Sequence, residues 1–492
     1  MDTADVVASA RKEGGQLQVN AVGLREVLFQ SITDMAPGAA IAASIPAGAA
    51  FAGGSLPLSV ILALVASLLC ASCVGELAAR IPSAGSLATY AAKGLHPTIG
   101  FLVGWGYAFA ALLVPPLVLV QLGFTVAPTL HQQWAAYPAD LWWPWALLGA
   151  AIICLAGLFG VRTSARLGSI LGAFEIAVFV AAGVLFVVHA GSHNTLSVFT
   201  AKYTAKGYRG FNGIFAGSVF TVLAFAGFEA AAPLGEEASN PRRTVRRAVL
   251  GATVAIGVLY VFTTYAASVA FGPARFTGFG GSGPASWEGL SRAFYGIMWV
   301  FVFFAIVNST VANANAGVTV SSRTSFALSR VGVLPSAFSR LSVAHRAPWV
   351  AILMSTVVTV GLTLGLGLGY GTTNAFNMLG TGIVIVLAAI YIVVDAACLG
   401  YFLRRRSELN VFLHVVVPVL GIIAFIPAWL SAAGIRAFKF ISPLAPPVSY
   451  MAYGVAGWMV IGLVYLVYHQ AAHPRRVTAV GTVHLDLAPE EM

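Results

Sequence analysis

Residues 211–247 read FNGIFAGSVFTVLAFAGFEAAAPLGEEASNPRRTVRR, and the order of chemistry along them decides the fold. The stretch opens as an apolar helix about long enough to cross a bilayer. It then places Gly227 and Glu229 at membrane depth and ends in a polar segment with Glu236, Glu237, Asn240, Pro241, Arg242 and Arg243. A carboxylate in hydrocarbon costs at least ~2.5 kcal/mol even on the mildest insertion scale, so Glu229 must face protein or water. The glycine two residues before it is a point where helical hydrogen bonding is easily interrupted. Together these features predict a broken helix lining a polar cavity, the arrangement in which membrane carriers hold a solute.

The composition agrees with that setting. Of 492 residues, 59% are hydrophobic and only 9% charged, with a mean hydropathy of +0.87. A soluble domain carries roughly 25% charged residues, so this chain must be integral to a lipid bilayer, as one bundle rather than three domains. Residues 1–25 hold no apolar h-region, so the first spanning helix is expected to direct its own insertion. Cys70, Cys73, Cys154 and Cys398 lie inside apolar runs and read as free packing thiols, with no disulfide framework, metal motif or cofactor site. The net charge of +10 is assigned to cytoplasmic loops and not to nucleic acid. The GGSG of the glycine-rich loop 272–287 is not a phosphate loop, since no Gly-Lys-Ser/Thr follows.

Twelve apolar runs can be marked, at 27–51, 56–78, 99–127, 141–160, 167–190, 211–235, 246–271, 290–318, 348–370, 375–402, 411–433 and 447–468, each near or above the ~20 residues a spanning helix needs. Asn308-Ser309-Thr310 matches a glycosylation triplet but falls within one of them. With the N-terminus inside, cytoplasmic segments hold 20 of the 27 Lys and Arg residues; Lys202, Lys206, Arg209, Arg275, Arg292, Arg436 and Lys439 lie outside. This bias predicts that both termini are cytoplasmic. The first run carries Asp34-Met35-Ala36-Pro37-Gly38-Ala39-Ala40, where Pro37 donates no backbone hydrogen and Gly38 tolerates unusual dihedrals. The sixth carries Phe225-Ala226-Gly227-Phe228-Glu229. The two interrupted helices are five apart and run in opposite directions, which points to inverted halves and a binding site at the bilayer midplane.

Three separated stretches carry a family likeness. The first is Arg80-Ile81-Pro82-Ser83-Ala84-Gly85-Ser86 with Tyr90, then Gly100-Phe101 and Gly104-Trp105. The second is Gly227-Phe228-Glu229 with Glu236-Glu237 and Asn240-Pro241-Arg242-Arg243. The third is Ser321-Ser322-Arg323 with Ala327-Leu328-Ser329-Arg330 and Leu334-Pro335. By these the chain resembles the amino acid–polyamine–organocation superfamily of permeases. The resemblance implies an all-α membrane protein of the leucine-transporter fold. Its first repeat would span 27–190 and its inverted second repeat 211–402, with two extra helices in 411–468 and cytoplasmic tails at 1–26 and 469–492. It also implies secondary transport of amino acids or related amines by alternating access; the leading expectation is a plasma-membrane amino-acid permease coupled to a proton rather than sodium, and the alternative is an amine or polyamine permease or an amino-acid exchanger.

By the same resemblance, Gly38, Ala39 and Ala40 offer helix N-terminal amides to a substrate carboxylate. Carbonyls near Ile32, Thr33, Phe225, Ala226 and Phe228 would take the amine, with Gly227 providing the break. Phe225 and Phe228 either cover the substrate, stack on a cation, or simply pack. Asp34 either binds the amino group or pairs with an arginine. The run Met35-Ala36-Pro37-Gly38 departs from the glycine-rich first break common in the superfamily, and Pro37 removes one donor. In proton-coupled relatives a lysine stands where sodium binds in the leucine transporter. Aligned on Gly160-Val161-Arg162 and Ser164-Ala165-Arg166, that position falls at Glu175. Burial penalises a charged carboxylate, so its protonation can accompany substrate, in opposite sign to a lysine; the alternative is a structural lock to neighbouring helices. Glu229 matches an acidic position just after the sixth-helix break in many members, and serves either proton coupling or the loose backbone there.

The polar run Asn308, Ser309, Thr310, Asn313 and Asn315 either ligates sodium or bonds neighbouring helices. Asp395 with Arg404, Arg405 and Arg406 reads as an interfacial cluster, and Gly361, Gly365, Gly367 and Gly369 as close helix packing. A nutrient sensor would be expected to carry a long signalling tail. An enzyme would need a nucleophile or metal set, and the histidines are scattered. The expectation is therefore a carrier, not an enzyme.

Overall fold

The computed structural model describes residues 23–83, 85–159, 164–236, 238, 240–281, 283–330, 334–342 and 347–472. Most of both expected tails, Glu237 and the Gly160-Val161-Arg162 landmark lie outside the described residues. What is described is helical, without a β-strand. The helices are α1 (Leu24–Met35), α2 (residues 37–52, wound through a π turn at Ala40–Ser44), α3 (Leu56–Ala78), α4 (Ser86–Gly94), α5 (Pro97–Gln133), α6 (Trp143–Phe159), α7 (Ser164–Ala190) and α8 (Phe211–Phe225). A 3-10 run, Phe228–Glu236, leads to α9 (Pro241–Phe271), α10 (Trp287–Tyr295), α11 (Met298–Arg330), α12 (Trp349–Tyr370), α13 (Thr372–Leu403), α14 (Val417–Ala432) and α15 (Met451–Ala472).

Local sequence sets many of these ends. Pro37, Pro97 and Pro241 open α2, α5 and α9, where a missing N–H costs nothing because the first turn has no acceptor for it. Gly371 stands between α12 and α13 at φ 80°, a left-handed conformation that glycine reaches without strain.

Among the described residues, ten spans are long and apolar enough to cross a membrane. One of them, Leu24–Ala78, has 55 residues, which at 1.5 Å each would reach roughly 80 Å, more than twice the ~30 Å hydrocarbon thickness. It is broken at Ala36 (φ 45°) and Gly53 (φ 53°). The α6 helix is apolar but only 17 residues long.

Packing places the interrupted segments at the centre. The α5 helix lies against α11 and α13, α9 lies against α3 and α1, and the 3-10 run lies against both α1 and α9. One apolar core runs through nearly all of these elements. The α15 helix instead turns Tyr453, Val464 and Val467 outward, a surface suited to lipid.

Two expectations are corrected. Asp395 is not interfacial: it is fully buried on α13, while Arg404 and Arg405 stay at the helix end, on the Leu95 carbonyl and the Tyr401 ring. Of the α12 glycines only Gly367 packs closely, against Trp142; a methyl group at Gly361, Gly365 or Gly369 would meet nothing within 4 Å. A glycine spacing alone does not say which side of a helix meets a neighbour.

Candidate binding site

The first break lies at Ala36, whose φ of 45° and ψ of 67° separate α1 from α2. Its N–H returns to the Thr33 carbonyl at 3.1 Å, and Pro37 then begins a new helix because it cannot continue the old one. The second break lies at Ala226-Gly227, with Gly227 at φ 107°. A Cβ on Gly227 would stand 2.7 Å from the Asp34 carbonyl carbon and 2.9 Å from an Asp34 carboxylate oxygen. The two breaks therefore abut, and only a residue without a side chain fits between them.

Breaking two helices inside a membrane frees backbone groups that need new partners. Side chains from three other helices, together with Ser31 and Glu229 of the interrupted segments themselves, supply several of them. Tyr260 donates to the Met35 carbonyl at 2.9 Å and Asn313 to the Asp34 carbonyl at 2.6 Å. Gln121 donates to the Ala39 carbonyl at 2.9 Å. Ser31 donates to the Phe228 carbonyl at 2.8 Å and accepts the Ala231 N–H at 3.1 Å. Glu229 accepts from the Gly227 N–H at 3.1 Å and from the Tyr391 hydroxyl at 2.9 Å, both on Oε2.

Where the breaks meet there is a cavity of about 70 Å³. Asp34 and Glu229 line it with the polar groups of Tyr107, Gln121 and Asn313, and among the described residues no lysine or arginine does. Of the residues expected from sequence, Asp34, Ala39, Ala40, Ala226, Gly227 and Glu229 reach the cavity wall; Ile32, Thr33, Gly38, Phe225, Phe228 and Glu175 do not. Asp34 makes no ion pair with an arginine among the described residues. Phe225 sits edge-on to Tyr260 and Phe228 tilts against Tyr391, both fully buried.

Glu175 lies behind the first break. It is 3% exposed, and its Oε2 would be 3.0 Å from a Cβ placed on Gly38, as would the Ala305 carbonyl and Ser309 Cβ. Gly38 therefore packs directly against this carboxyl. The first turn of α2 thus has little left for a solute anion. Pro37 has no N–H, Gly38 faces Glu175, and Ala40 donates to the Ala36 carbonyl at 2.9 Å. Ala36, Ala39 and Ala40 line the cavity at this point.

Sequence reading missed Tyr107, Gln121, Tyr260 and Tyr391. A glutamine inside the apolar helix α5 was a signal that could have been used, because a buried amide needs partners. The tyrosines carried none, since tyrosine is common in membrane helices.

With this geometry in hand, comparison with known proteins is informative. The family described as amino acid permease matches residues 26–475. The chain is similar to the low-affinity putrescine importer PlaP of Escherichia coli, 24% identical over 420 residues that cover 84% of this chain and 85% of the importer. It is also similar to the branched-chain amino acid permease BcaP of Bacillus subtilis, 24% identical over 361 residues (69% and 75% of the two chains). The dicarboxylic amino acid permease of Saccharomyces cerevisiae is 26% identical over 384 residues (70% and 60%). All three are transporters and none is an enzyme.

Proposed function

The chain belongs to the amino acid permease family, within the amino acid–polyamine–organocation superfamily, and from that premise we propose that it is a secondary transporter of amino acids or related amines working by alternating access. One observation carries the choice of what it recognises. The cavity where the breaks meet is lined by two carboxyls, Asp34 and Glu229, with no lysine or arginine of the described residues in its wall. Such a site attracts an ammonium group and repels a free carboxylate. Because Pro37 has no N–H, Gly38 packs against Glu175 and the Ala40 N–H is taken by the Ala36 carbonyl, the first turn of α2 has little left for a carboxylate, and an amine is favoured over an α-amino acid. A putrescine importer among the relatives is in keeping with that preference.

Asp34, Ala39, Ala40, Ala226 and Gly227 contact the substrate in this reading. Ile32, Thr33, Gly38, Phe225 and Phe228 hold the shape of the breaks around it. Glu175 and Glu229 carry the coupling proton. Glu175 touches the start of α2 through Gly38, so a change in its protonation acts directly on the first break.

The topology we propose has twelve crossings: the 55-residue span counts as two and α6 as one more. Repeats of five lie at 27–190 and 211–402, two further helices at 411–468, and both termini on the cytoplasmic side of the plasma membrane. That side holds 20 of the 27 basic residues.

Uptake into proteoliposomes tests the function. Labelled amines, diamines and amino acids would be offered under a proton gradient, a sodium gradient, or preloaded counter-substrate. Proton-driven accumulation of an amine, abolished by Glu175→Gln, is expected. Uptake of zwitterionic amino acids with amines excluded would overturn the recognition argument, and uptake only with internal counter-substrate would make the protein an exchanger.

A further inference from the structure

One buried acid has no part in the cavity. Asp395 lies on α13, one helical turn after Tyr391, and is fully buried. Its carboxyl is enclosed by Cys70 and Cys73 of α3, with Cys398 of its own helix beside them. On the far side is Gly421 of α14, where a Cβ would strike Asp395 Oδ2. Neither carboxyl oxygen has a hydrogen-bond partner of good geometry among the described residues, and none of them forms an ion pair with it.

Thiols are weak donors. An ionised carboxylate in this enclosure would keep almost none of the solvation it has in water, and no positive charge replaces it. A neutral acid fits, and the absent side chain of Gly421 is what leaves room for it. An intramembrane acid without a cation is uncommon unless it serves function.

The position is also connected. Cys70 Sγ lies 4.0 Å from the Tyr391 carbonyl oxygen, and the Tyr391 hydroxyl donates to Glu229 Oε2, which lines the cavity. One residue of α13 therefore separates Asp395 from a cavity acid, and α3, α13 and α14 meet around it.

From this arrangement we infer that Asp395 is a proton-binding site of the transport cycle, distinct from Glu175 and Glu229. It takes up and releases one proton as the contact of α13 with α3 and α14 opens and closes. The inference rests on the proton-coupled reading given above.

Proteoliposomes carrying an internal pH dye test it, with wild type beside Asp395→Asn. The asparagine keeps shape and neutrality but cannot release a proton. Exchange against preloaded substrate should survive within about threefold, while proton-driven accumulation and the acidification that accompanies it fall by about tenfold or more. An Asp395→Asn protein that accumulates substrate and acidifies like wild type sinks the inference and leaves the coupling reading standing. A wild type that moves no proton removes both. If the asparagine variant does not fold, infrared spectra of the wild type and of Asp395→Glu decide. A protonated-carboxyl C=O band that changes during turnover and shifts in Asp395→Glu is expected, and the absence of any such band overturns the assignment.

Discussion

Glu76 at the end of α3 and Glu229 at the second break are equally buried, and Asp34 at the first break is partly buried, yet these acids are differently treated. Glu76 is 2% exposed and receives Arg80 at 2.6 Å, Arg246 at 2.8 Å and His414 Nε2 at 3.2 Å. His414 Nδ1 accepts the Asn410 N–H at 3.0 Å, so the ring proton is on Nε2 and is donated to Glu76. Arg80 continues to Glu408 at 3.1 Å, and the Phe402 ring lies under both Arg80 and His414. These contacts tie α3, α9, α13 and the segment before α14 together. Glu229, by contrast, accepts from a backbone amide and a tyrosine, Asp34 and Glu229 both line a cavity, and neither forms an ion pair among the described residues. A carboxylate surrounded by protein cations holds the structure closed and has no capacity left for a solute. One without a cation is available to a proton or an ammonium group.

The contrast can be broken most sharply at Asp34. Asp34→Asn should weaken amine binding by roughly 30- to 100-fold, about 2–3 kcal/mol for a lost charge-assisted contact, and leave thermal stability close to wild type. Titration calorimetry beside a melting curve checks both halves. A binding constant that does not change would mean the cavity acid is structural after all.

Glu76→Gln should do the reverse. It removes the negative charge and one of the two acceptor oxygens that face two arginines and a histidine, and because the arginines are 27% and 44% exposed the loss should be near the low end for a buried pair, about 2 kcal/mol of stability. Substrate affinity measured in detergent should stay within about twofold. A large change in affinity with no loss of stability would erase the distinction between the two regions.

Glu288 on α10 sharpens the comparison from a third position, outside the ten spans. It has one close partner, the Thr129 hydroxyl at 2.7 Å. Burial pushes its carboxyl up from 4.5 to about 7, against smaller opposing effects of Thr129 and Arg292. The folded protein then holds this proton at pH values where the unfolded chain has lost it. Its contribution is complete below about pH 4.5 and is lost as pH rises toward 7. Melting temperatures across that window should fall with pH by an amount equivalent to about 3 kcal/mol, and Glu288→Gln should flatten the slope. An unchanged slope in the variant would assign the pH dependence elsewhere.

Much of this could be read along the chain. Pro37 with Gly38, and Gly227 beside Glu229, announced the two breaks, because a proline without a donor and a glycine before an acid are local statements about backbone hydrogen bonding. The family likeness, carried by Arg80-Ile81-Pro82, Gly227-Phe228-Glu229 and Ser321-Ser322-Arg323, agrees with the match over residues 26–475. What remained hidden was rotational. Asp395 looked like a neighbour of Arg404, yet the two stand nine residues apart on one helix and face different surroundings.

Sequence alone determined that this is a helical membrane protein, where its helices are interrupted and which intramembrane acids it carries, since composition, proline and glycine act locally. Only the tertiary structure decided that Gly227 closes on Asp34, that Glu175 packs against Gly38, that Gln121, Tyr260 and Tyr391 hold the breaks, and that Asp395 sits among thiols. The physical reason is that these helices are apolar on nearly every side. Within them no hydrophobic stripe tells which face turns inward, and the facing is fixed only when neighbouring helices pack.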